Sequence, residues 1–304
     1  MFNVRVPLLY GTLYNMFQNR KKYALLLFVV SLLLVNVFLF YQEFRNYKKG
    51  LIFAMLDVGQ GDALFIESPT GTQILVDGGP PRKILSQLAR VMPPFDKSID
   101  AIIITNPDQD HIGGFLDVFK VYKIGRVFES GTYNDSKTYQ NLELEIKNKN
   151  IPKILARSGM RLHLGGGAFM DILFPDKDVS LWDTNDGSVV NKLSYGATSI
   201  MLTGDATSKT EKIILEKNPK SWLKSTILKV GHHGSRTSTS NDFVKAVAPL
   251  YAIISDGRDN KYGHPHQDTL DTLTRAGSQI FRTDLFGTII MHSDGQSEAF
   301  SFHK

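Results

Sequence analysis

An uncharged apolar run near the N-terminus constrains this chain more than any other feature. The segment covers residues 23–41 and reads YALLLFVVSLLLVNVFLFY, with Ser31 and Asn36 as its polar interruptions. As a helix rising about 1.5 Å per residue, it would extend roughly 30 Å, the thickness of a bilayer hydrocarbon core. We therefore predict a transmembrane anchor at 23–41, with a short tail at 1–22 and a linker at 42–50.

A cleaved signal peptide and a buried core helix are the two alternatives for this segment. The run exceeds the roughly 7–15 apolar residues of a signal peptide, and the following QEFRNYKKG lacks a small-residue cleavage site. A core helix rarely lacks a polar face altogether. Basic residues flank both ends, and the free amino terminus tips the count towards an N-terminus inside. We therefore expect a single-pass membrane protein whose main domain is extracytoplasmic.

The charge balance of the remaining chain excludes a basic domain. Residues 1–50 hold seven of the 35 basic residues and one of the 30 acidic residues, which leaves 28 and 29 for residues 51–304. The main domain is thus nearly neutral, and the basic character of the chain is not evidence for nucleic-acid binding. The absence of cysteine excludes disulfides, thiolate zinc sites, iron–sulfur clusters and a cysteine nucleophile.

From residue 51 onward, short β-rich runs alternate with helical stretches. Two successive hairpins followed by β/α alternation indicate sheets covered by helices, which is an α/β class domain. The predicted strands are 51–58, 63–68, 72–77, 99–105, 169–175, 188–195, 198–205, 225–231 and 250–255. The predicted helices are 83–92, 136–148, 207–217, 241–247 and 267–276.

The strongest chemical signal follows the apolar strand at 99–105. Asp108, Asp110 and His111 are three potential metal ligands within four residues, directly before a glycine pair. Carboxylates held this close repel one another unless a cation neutralises them. Two later glycine-flanked loops, 231–235 and 263–266, hold four of the eight histidines, and imidazole suits zinc, manganese or iron. The sequence therefore predicts a divalent metal site.

Three further polar turns follow predicted strands and carry weaker signals. The segment 57–63, DVGQGDA, is a Gly/Asp turn of the kind that is mostly structural. Asp77 precedes two glycines, and we expect its carboxylate to accept backbone hydrogen bonds and hold a loop. Asp205 is a lone carboxylate at a strand end, significant only if it faces the metal loop.

The order of these motifs resembles that of metallo-β-lactamase-fold hydrolases. LDVGQGDA, DGG, DQDHIGG, NDGSVV, TGDA, KVGHHGS and YGHPH occur in sequence, and they most resemble the C-terminal hydrolase domain of ComEC-type DNA-internalisation competence proteins. The resemblance covers residues 51–304. It implies a four-layer αβ/βα metallo-β-lactamase sandwich, here preceded by one transmembrane helix.

The resemblance also implies roles for individual residues and a divalent cofactor, zinc or manganese, as one or two ions. The implied metal ligands are Asp108, Asp110, His111, Asp205 and His264. The implied catalytic residues are Asp110, His232, His233 and Lys229, with His232 and His233 close to the metal either as a ligand or as the proton donor. The implied substrate contacts are Asn106, Ser235, Arg236 and His266.

The sequence departs from the family pattern at the start of the metal loop. Asn106 stands where the family has the first histidine, and an amide oxygen is a poor replacement for imidazole on zinc. Two outcomes follow from this substitution. One is an active hydrolase with a single ion or with two weakly bound ions, and the other is an inactive descendant. The other retained ligands favour an active site. A second departure is that one span cannot form a DNA channel, so a separate membrane channel protein is a candidate partner.

The resemblance implies metal-dependent phosphodiester hydrolysis, with DNA as the substrate. Because a fold does not fix a substrate, hydrolysis of a small ester, lactone or phosphodiester is an alternative. A second alternative is a non-catalytic, membrane-tethered domain. Its metal content would distinguish it from the DNA-cleaving enzyme and from the hydrolase of small substrates.

Overall fold

The computed structural model describes the backbone of residues 8–47 and 50–304, with side chains described for 20–41 and 50–304. The chain divides into two units, 1–49 and 50–304. The boundary agrees to within a residue with the predicted start of the main domain. Residues 1–7 of the predicted tail and 48–49 of the predicted linker lie outside the described residues.

The first unit is one long helix, α1, which spans Leu8–Tyr47. It is longer than the predicted segment 23–41: it begins directly after Pro7, and no proline interrupts residues 8–22 or 42–47. Within it, Arg20–Tyr41 is long and apolar enough to cross a membrane, with a mean hydropathy of 2.7. The side chains in this stretch are exposed, which is not the environment of a core helix.

The two polar side chains of this apolar stretch bond to their own helix. Ser31 donates from Oγ to the Phe28 carbonyl at 3.1 Å, and Asn36 donates from Nδ2 to the Leu32 carbonyl at 2.8 Å. Polar groups in hydrocarbon must be satisfied internally. Neither residue therefore disqualifies the helix as a membrane span.

The second unit contains every predicted strand and helix of residues 51–304, together with elements that the sequence patterns did not indicate. Its helices are α2 Ile84–Val91, α3 Gln109–Ile112, α4 Phe115–Val121, α5 Lys137–Asn148, α6 Ser208–Lys217, α7 Lys220–Leu223, α8 Asn241–Val247, α9 Gln267–Arg275 and α10 Thr283–Phe286, with a 3₁₀ turn at Gly231–Gly234. Its strands are β1 Leu51–Met55, β2 Leu64–Glu67, β3 Gln73–Val76, β4 Ser98–Ile99, β5 Ala101–Ile104, β6 Lys123–Ile124, β7 Val127–Glu129, β8 Lys153–Leu155, β9 Arg161–Gly165, β10 Ala168–Phe174, β11 Val190–Tyr195, β12 Thr198–Leu202, β13 Ile227–Lys229, β14 Tyr251–Ile254, β15 Gln279–Arg282, β16 Thr288–Ser293 and β17 Glu298–His303.

Fifteen of these strands form two large mixed sheets, and β4 and β6 form a separate two-stranded sheet. One has eight strands in the order β17-β16-β1-β2-β3-β5-β7-β8, and the other has seven in the order β15-β14-β13-β12-β11-β10-β9. Strands β3, β5, β7 and β8 run parallel in the first sheet, and β12 to β15 run parallel in the second. Consecutive parallel strands need a crossover connection, usually a helix.

Three hydrophobic cores separate four layers. In β1, Ile52 and Ala54 pack in the core shared with α2, α4 and α5, while Phe53 and Met55 pack in the core between the two sheets. The third core joins the outer face of the second sheet to α6, α8 and α9. Alternate residues of a strand point to opposite faces, so a fully apolar strand such as LIFAM can fill two cores at once. The arrangement is the four-layer αβ/βα sandwich that the sequence resemblance implied.

The loops that carry the predicted chemistry leave the carboxyl ends of neighbouring strands. The loop after β5 carries the metal motif, and β3 leads directly into Asp77. In the second sheet, β12, β13 and β14 lead into the loops with Asp205, His232–His233 and His264. Parallel strands end at the same edge of a sheet, which brings residues distant in sequence to one edge of the sandwich.

Candidate metal centre

The metal loop is built on backbone contacts between two glycine-rich segments. The Gly78 amide donates to the His111 carbonyl at 2.6 Å, and the Gly114 amide donates to the Gly79 carbonyl at 2.8 Å. A Cβ at Gly114 would lie 2.0 Å from the Gly78 oxygen, so no larger residue fits there. The glycines after Asp77 and after His111 therefore allow the two loops to pack together.

His111 is the most completely fixed side chain of the site. It is fully buried, and its Nδ1 lies 2.8 Å from Asp77 Oδ2. Asp77 in turn accepts from the Thr105 amide at 2.8 Å and from the Thr105 hydroxyl at 2.5 Å. A carboxylate that accepts from one ring nitrogen orients the other towards a metal. Asp77 therefore has the loop-holding role predicted for it and also orients Nε2 of His111.

Ligand atoms of Asp110, His111 and His233 lie within 4.8 Å of one another, and Asp205 contacts both histidines. Nε2 of His111 lies 3.0 Å from Asp205 Oδ2, and Nε2 of His233 lies 3.5 Å from the same oxygen. Nε2 of His233 also lies 3.4 Å from Asp110 Oδ2. Ligand atoms about 2.0–2.1 Å from one tetrahedral ion lie roughly 3.3 Å from one another. The observed separations have this spacing.

His233 reaches this cluster through an unusual backbone conformation. His232 and His233 both have left-handed dihedrals, with φ of 49° and 54°. Each such residue costs about 1–3 kcal/mol and is found mainly at functional sites. The imidazole of His233 is buried, and Nδ1 lies 2.9 Å from the Ser255 carbonyl, which leaves Nε2 facing Asp110 and Asp205.

The electrostatics of the site fit a bound cation. Burial opposes protonation of His111, but the carboxylates of Asp205 and Asp77 outweigh it and hold its pKa well above the ordinary value. Burial likewise opposes protonation of His233, but Asp205 and Asp62 raise its pKa to about 10. The buried Nε2 atoms of both histidines face carboxylates only, Asp205 for His111 and Asp110 and Asp205 for His233, so a cation could replace the shared protons. The buried carboxylates thus favour positive charge at the imidazole nitrogens, and a divalent metal bound there would supply that charge in place of the protons.

The structure differs from the implied roles at Lys229. Its side chain is 1% exposed, and the ammonium pairs with the buried carboxylate of Asp62 and donates to the Gly204 carbonyl at 2.7 Å. Asp205 Oδ1 is 3.7 Å away. A cavity opens beside the cluster, and Lys229 does not line it. The buried ammonium therefore contacts Asp205 on the side away from the cavity and has no access to a substrate.

The side of the site that holds Asn106 and Asp108 is occupied by internal hydrogen bonds. Asn106 is fully buried. Its side chain donates from Nδ2 to Ser188 Oγ at 3.4 Å, and its Oδ1 accepts from the backbone amide of Asp108 at 3.0 Å. Asp108 accepts from Asn134 Nδ2 at one oxygen and from Thr184 Oγ1 at the other, both at 3.0 Å. Burial raises the pKa of Asp108. Asn106 is therefore inaccessible to substrate, and Asp108 has neutral partners at both oxygens.

His232 and His264 lie beside the cluster with their rings 5.8 Å apart. Nε2 of His232 is 3.8 Å from Asp205 Oδ2, and its Nδ1 is 3.0 Å from Thr237 Oγ1. His264 joins no group of three convergent ligands within residues 20–41 and 50–304. Burial and the neighbouring histidines lower the pKa of His264 to about 4. Of the two roles that the resemblance left open for His233, its position in the structure fits a ligand, whereas His264 lies beside the cluster.

Three implied substrate contacts lie outside the cavity lining. Ser235 is buried, and its hydroxyl contacts Thr237 at 3.1 Å. The Arg236 amide donates to His266 Nδ1 at 3.2 Å, and the Arg236 side chain is exposed. The His266 amide donates to the Gly234 carbonyl at 2.9 Å. These residues brace the 3₁₀ turn that presents His232 and His233.

A cavity of about 150 Å³ opens beside the cluster. Sequence reasoning assigned no role in it to Gln60 or Tyr262, which lie in loops without a ligand pattern. It also missed Asn134 and Thr184, the partners of Asp108, because short polar loop residues carry no periodic signal. The cavity lining is Gln60, Asp108, Asp110, Asn185, Asp205, His232, His233, Tyr262 and His264.

The chain belongs to the metallo-beta-lactamase superfamily, whose family pattern matches residues 56–255. Within it, the chain is 32% identical to ComE operon protein 3 of Bacillus subtilis (strain 168), over 77% of this chain and 32% of that protein. It is 31% identical to Recombination protein 2 of Haemophilus influenzae, over 77% of this chain and 28% of the relative. The predicted resemblance to competence-type proteins is confirmed, and the chain spans about a third of the length of these relatives.

Solved structures share the fold at low sequence identity. Igni18, a metallo hydrolase from the archaeon Ignicoccus hospitalis, is 13% identical with a TM-score of 0.51 over 83% of this chain and 100% of its own. CmlA, a diiron β-hydroxylase from Streptomyces venezuelae, is 14% identical with a TM-score of 0.52 over 83% of this chain and 54% of its own. The identities are too low to compare activities, so these likenesses establish the fold alone.

Proposed function

We propose that this protein is a membrane-anchored, metal-dependent phosphodiesterase that cleaves DNA. The observation that carries the proposal is the convergence of Asp110, His111, His233 and Asp205 beside a cavity lined by further ionisable groups. The similarity to competence-type proteins supports DNA as the substrate. The helix Arg20–Tyr41 supports membrane anchoring, and the flanking charges favour an extracytoplasmic main domain.

We propose that one ion is held tightly by the convergent cluster. Asp110, His111, His233 and Asp205 would supply two imidazole nitrogens and two carboxylate oxygens. When bound there, a divalent ion would lower the pKa of a coordinated water molecule and stabilise the negative charge on the phosphate oxygens. Asp108 is a weak candidate for a second ion because both its oxygens already accept hydrogen bonds.

The chain's own residues would orient the reacting groups and transfer the proton. Asp77 keeps the ligand nitrogen of His111 facing the site. His232 is the candidate proton donor to the leaving oxygen, since its Nδ1 contacts Thr237 and its Nε2 lies near Asp205. General acid catalysis of this kind contributes typically 10²–10⁴-fold. We also propose a membrane channel protein as a partner, and the similarity to competence-type proteins supports it.

The test uses the full chain purified in detergent, stripped with a chelator and reloaded with zinc or manganese. We expect about one tightly bound ion per chain by elemental analysis, and metal-dependent cleavage of single- or double-stranded oligonucleotides. Asp110→Ala should abolish cleavage, whereas Asp242→Ala, an exposed carboxylate on α8, should not. Cleavage of small esters alone would overturn the DNA proposal. Absence of bound metal under every loading condition would overturn the enzyme proposal.

A further inference from the structure

A second, larger cavity lies beside the metal cavity. It encloses about 650 Å³ between the loop after β1 and the loop after β14, a size typical of ligand sites. We call it the Gln60 groove, because Gln60 lines it as well as the metal cavity. Its basic lining residues are Lys83, Arg258 and Lys304, and its acidic ones are Asp57 and Asp284.

The unpaired charges of the Gln60 groove are mainly positive. Asp284 is neutralised by Arg282, which donates to its two oxygens at 2.9 and 2.6 Å. Within residues 50–304, neither Lys83 nor Arg258 pairs with a carboxylate, and both are exposed. A Cβ at Gly59 would lie 2.9 Å from Lys83 Nζ, so this ammonium lies over a bare stretch of backbone. Arg258 donates from Nη2 to the Asp284 carbonyl at 3.3 Å, which leaves its charge without a carboxylate partner. The groove therefore presents two exposed basic groups without carboxylate partners, beside one acidic residue, Asp57.

One rigid loop connects the groove to the metal cavity. The Gly257 amide donates to Gln60 Oε1 at 3.3 Å, at the boundary of the two cavities. Asn260 donates to the carbonyls of Gly257 and His264 at 2.9 and 2.7 Å, and it accepts from the His264 amide at 3.0 Å. Arg258 is thus held at a fixed distance along the loop from His264, which lines the metal cavity.

We propose that the Gln60 groove binds the phosphates of a polynucleotide strand adjacent to the scissile phosphodiester, through Lys83 and Arg258. The inference rests on the proposed function and adds the surface that holds the strand next to the cleaved bond. The metal cavity, at about 150 Å³, holds little more than the reacting phosphate, and a longer strand continues into the groove. Basic side chains neutralise phosphate charge without regard to base sequence. A small phosphodiester reaches the metal cavity without occupying the groove.

The test compares an oligonucleotide with bis(p-nitrophenyl) phosphate as substrates of the metal-loaded full chain in detergent. The double variant Lys83→Ala/Arg258→Ala should lower kcat/KM for the oligonucleotide at least tenfold and leave the small diester within twofold. It should also reduce the slope of log affinity against log salt by about 1.4, since each single-strand phosphate contact contributes roughly 0.7. Lys245→Ala, an exposed lysine on α8, is the matched control.

A binding measurement separates failure of the inference from failure of the proposed function. Fluorescence anisotropy of a labelled oligothymidylate reports binding whether or not the chain cleaves it. Equal affinity and equal salt slope for the wild type and the double variant would overturn the groove proposal, even in an active enzyme. Weaker binding by the double variant, restored by Lys83→Arg/Arg258→Lys, would support the groove even if catalysis were absent.

Discussion

Replacing Lys229 by methionine removes one half of a buried ion pair and leaves the other half without its cation. Asp62 is fully buried, and the ammonium of Lys229 is its cationic partner at contact distance. Burial acts to raise the pKa of Asp62, but Lys229 and His233 outweigh it and hold the pKa below its ordinary value. Breaking such a pair from one side costs about 3–5 kcal/mol, a large share of a typical stability of about 5–15 kcal/mol.

The assay is urea unfolding of the metal-free full chain in mild detergent, followed by tryptophan fluorescence. Both tryptophans, Trp182 and Trp222, lie in the main domain, so the signal reports its unfolding. We expect Lys229→Met to lower the free energy of unfolding by about 3–5 kcal/mol. The double variant Lys229→Met/Asp62→Leu should recover much of this loss, because it buries no unpaired charge.

Two outcomes would refute this reasoning. One is a loss below about 1 kcal/mol in Lys229→Met, the size expected of an exposed pair. The other is a double variant no more stable than the single one. A lysine that binds substrate phosphate would instead raise KM while leaving the free energy of unfolding unchanged.

Two further predictions concern the metal affinity of the site, and a third concerns the pH dependence of stability at Asp256, which follows β14. Asp77→Asn should weaken zinc binding about 10–100-fold in competition with a chromogenic chelator, because it removes the carboxylate that orients His111; unchanged affinity would contradict that role. Metal affinity should rise with pH up to about 10, because His233 is protonated below that pKa in the metal-free protein and must lose its proton to bind; equal affinity at pH 6 and pH 8 would contradict this. Burial and Asp284 raise the pKa of Asp256 to about 7, so the folded state binds the extra proton and stability falls as pH rises from about 4 to about 7. Asp256→Asn should therefore raise the free energy of unfolding at pH 8 by about 2–4 kcal/mol and change it little at pH 4, and an equal effect at both pH values would contradict the assignment.

The sequence indicated the main strands because their signal is local. Runs such as LIFAM and AIII are apolar at every position, and strands with two buried faces require that pattern. The strands β8 and β17, with largely exposed residues, carry no such signal and went unpredicted. The metal loop also carries a local signal, because its three candidate ligands lie within four residues of one another.

The sequence by itself determined the apolar helix, the α/β class and the two candidate ligands Asp110 and His111 of the metal loop. Only the tertiary structure decided that His233 joins the cluster, that Lys229 is a buried partner of Asp62, and that Asp108 is engaged by Asn134 and Thr184. Each of these depends on side chains that lie far apart in sequence and meet where strands of two sheets end at one edge. Left-handed backbone at His233 and burial of an ion pair arise from that packing, and no local pattern of residues encodes them.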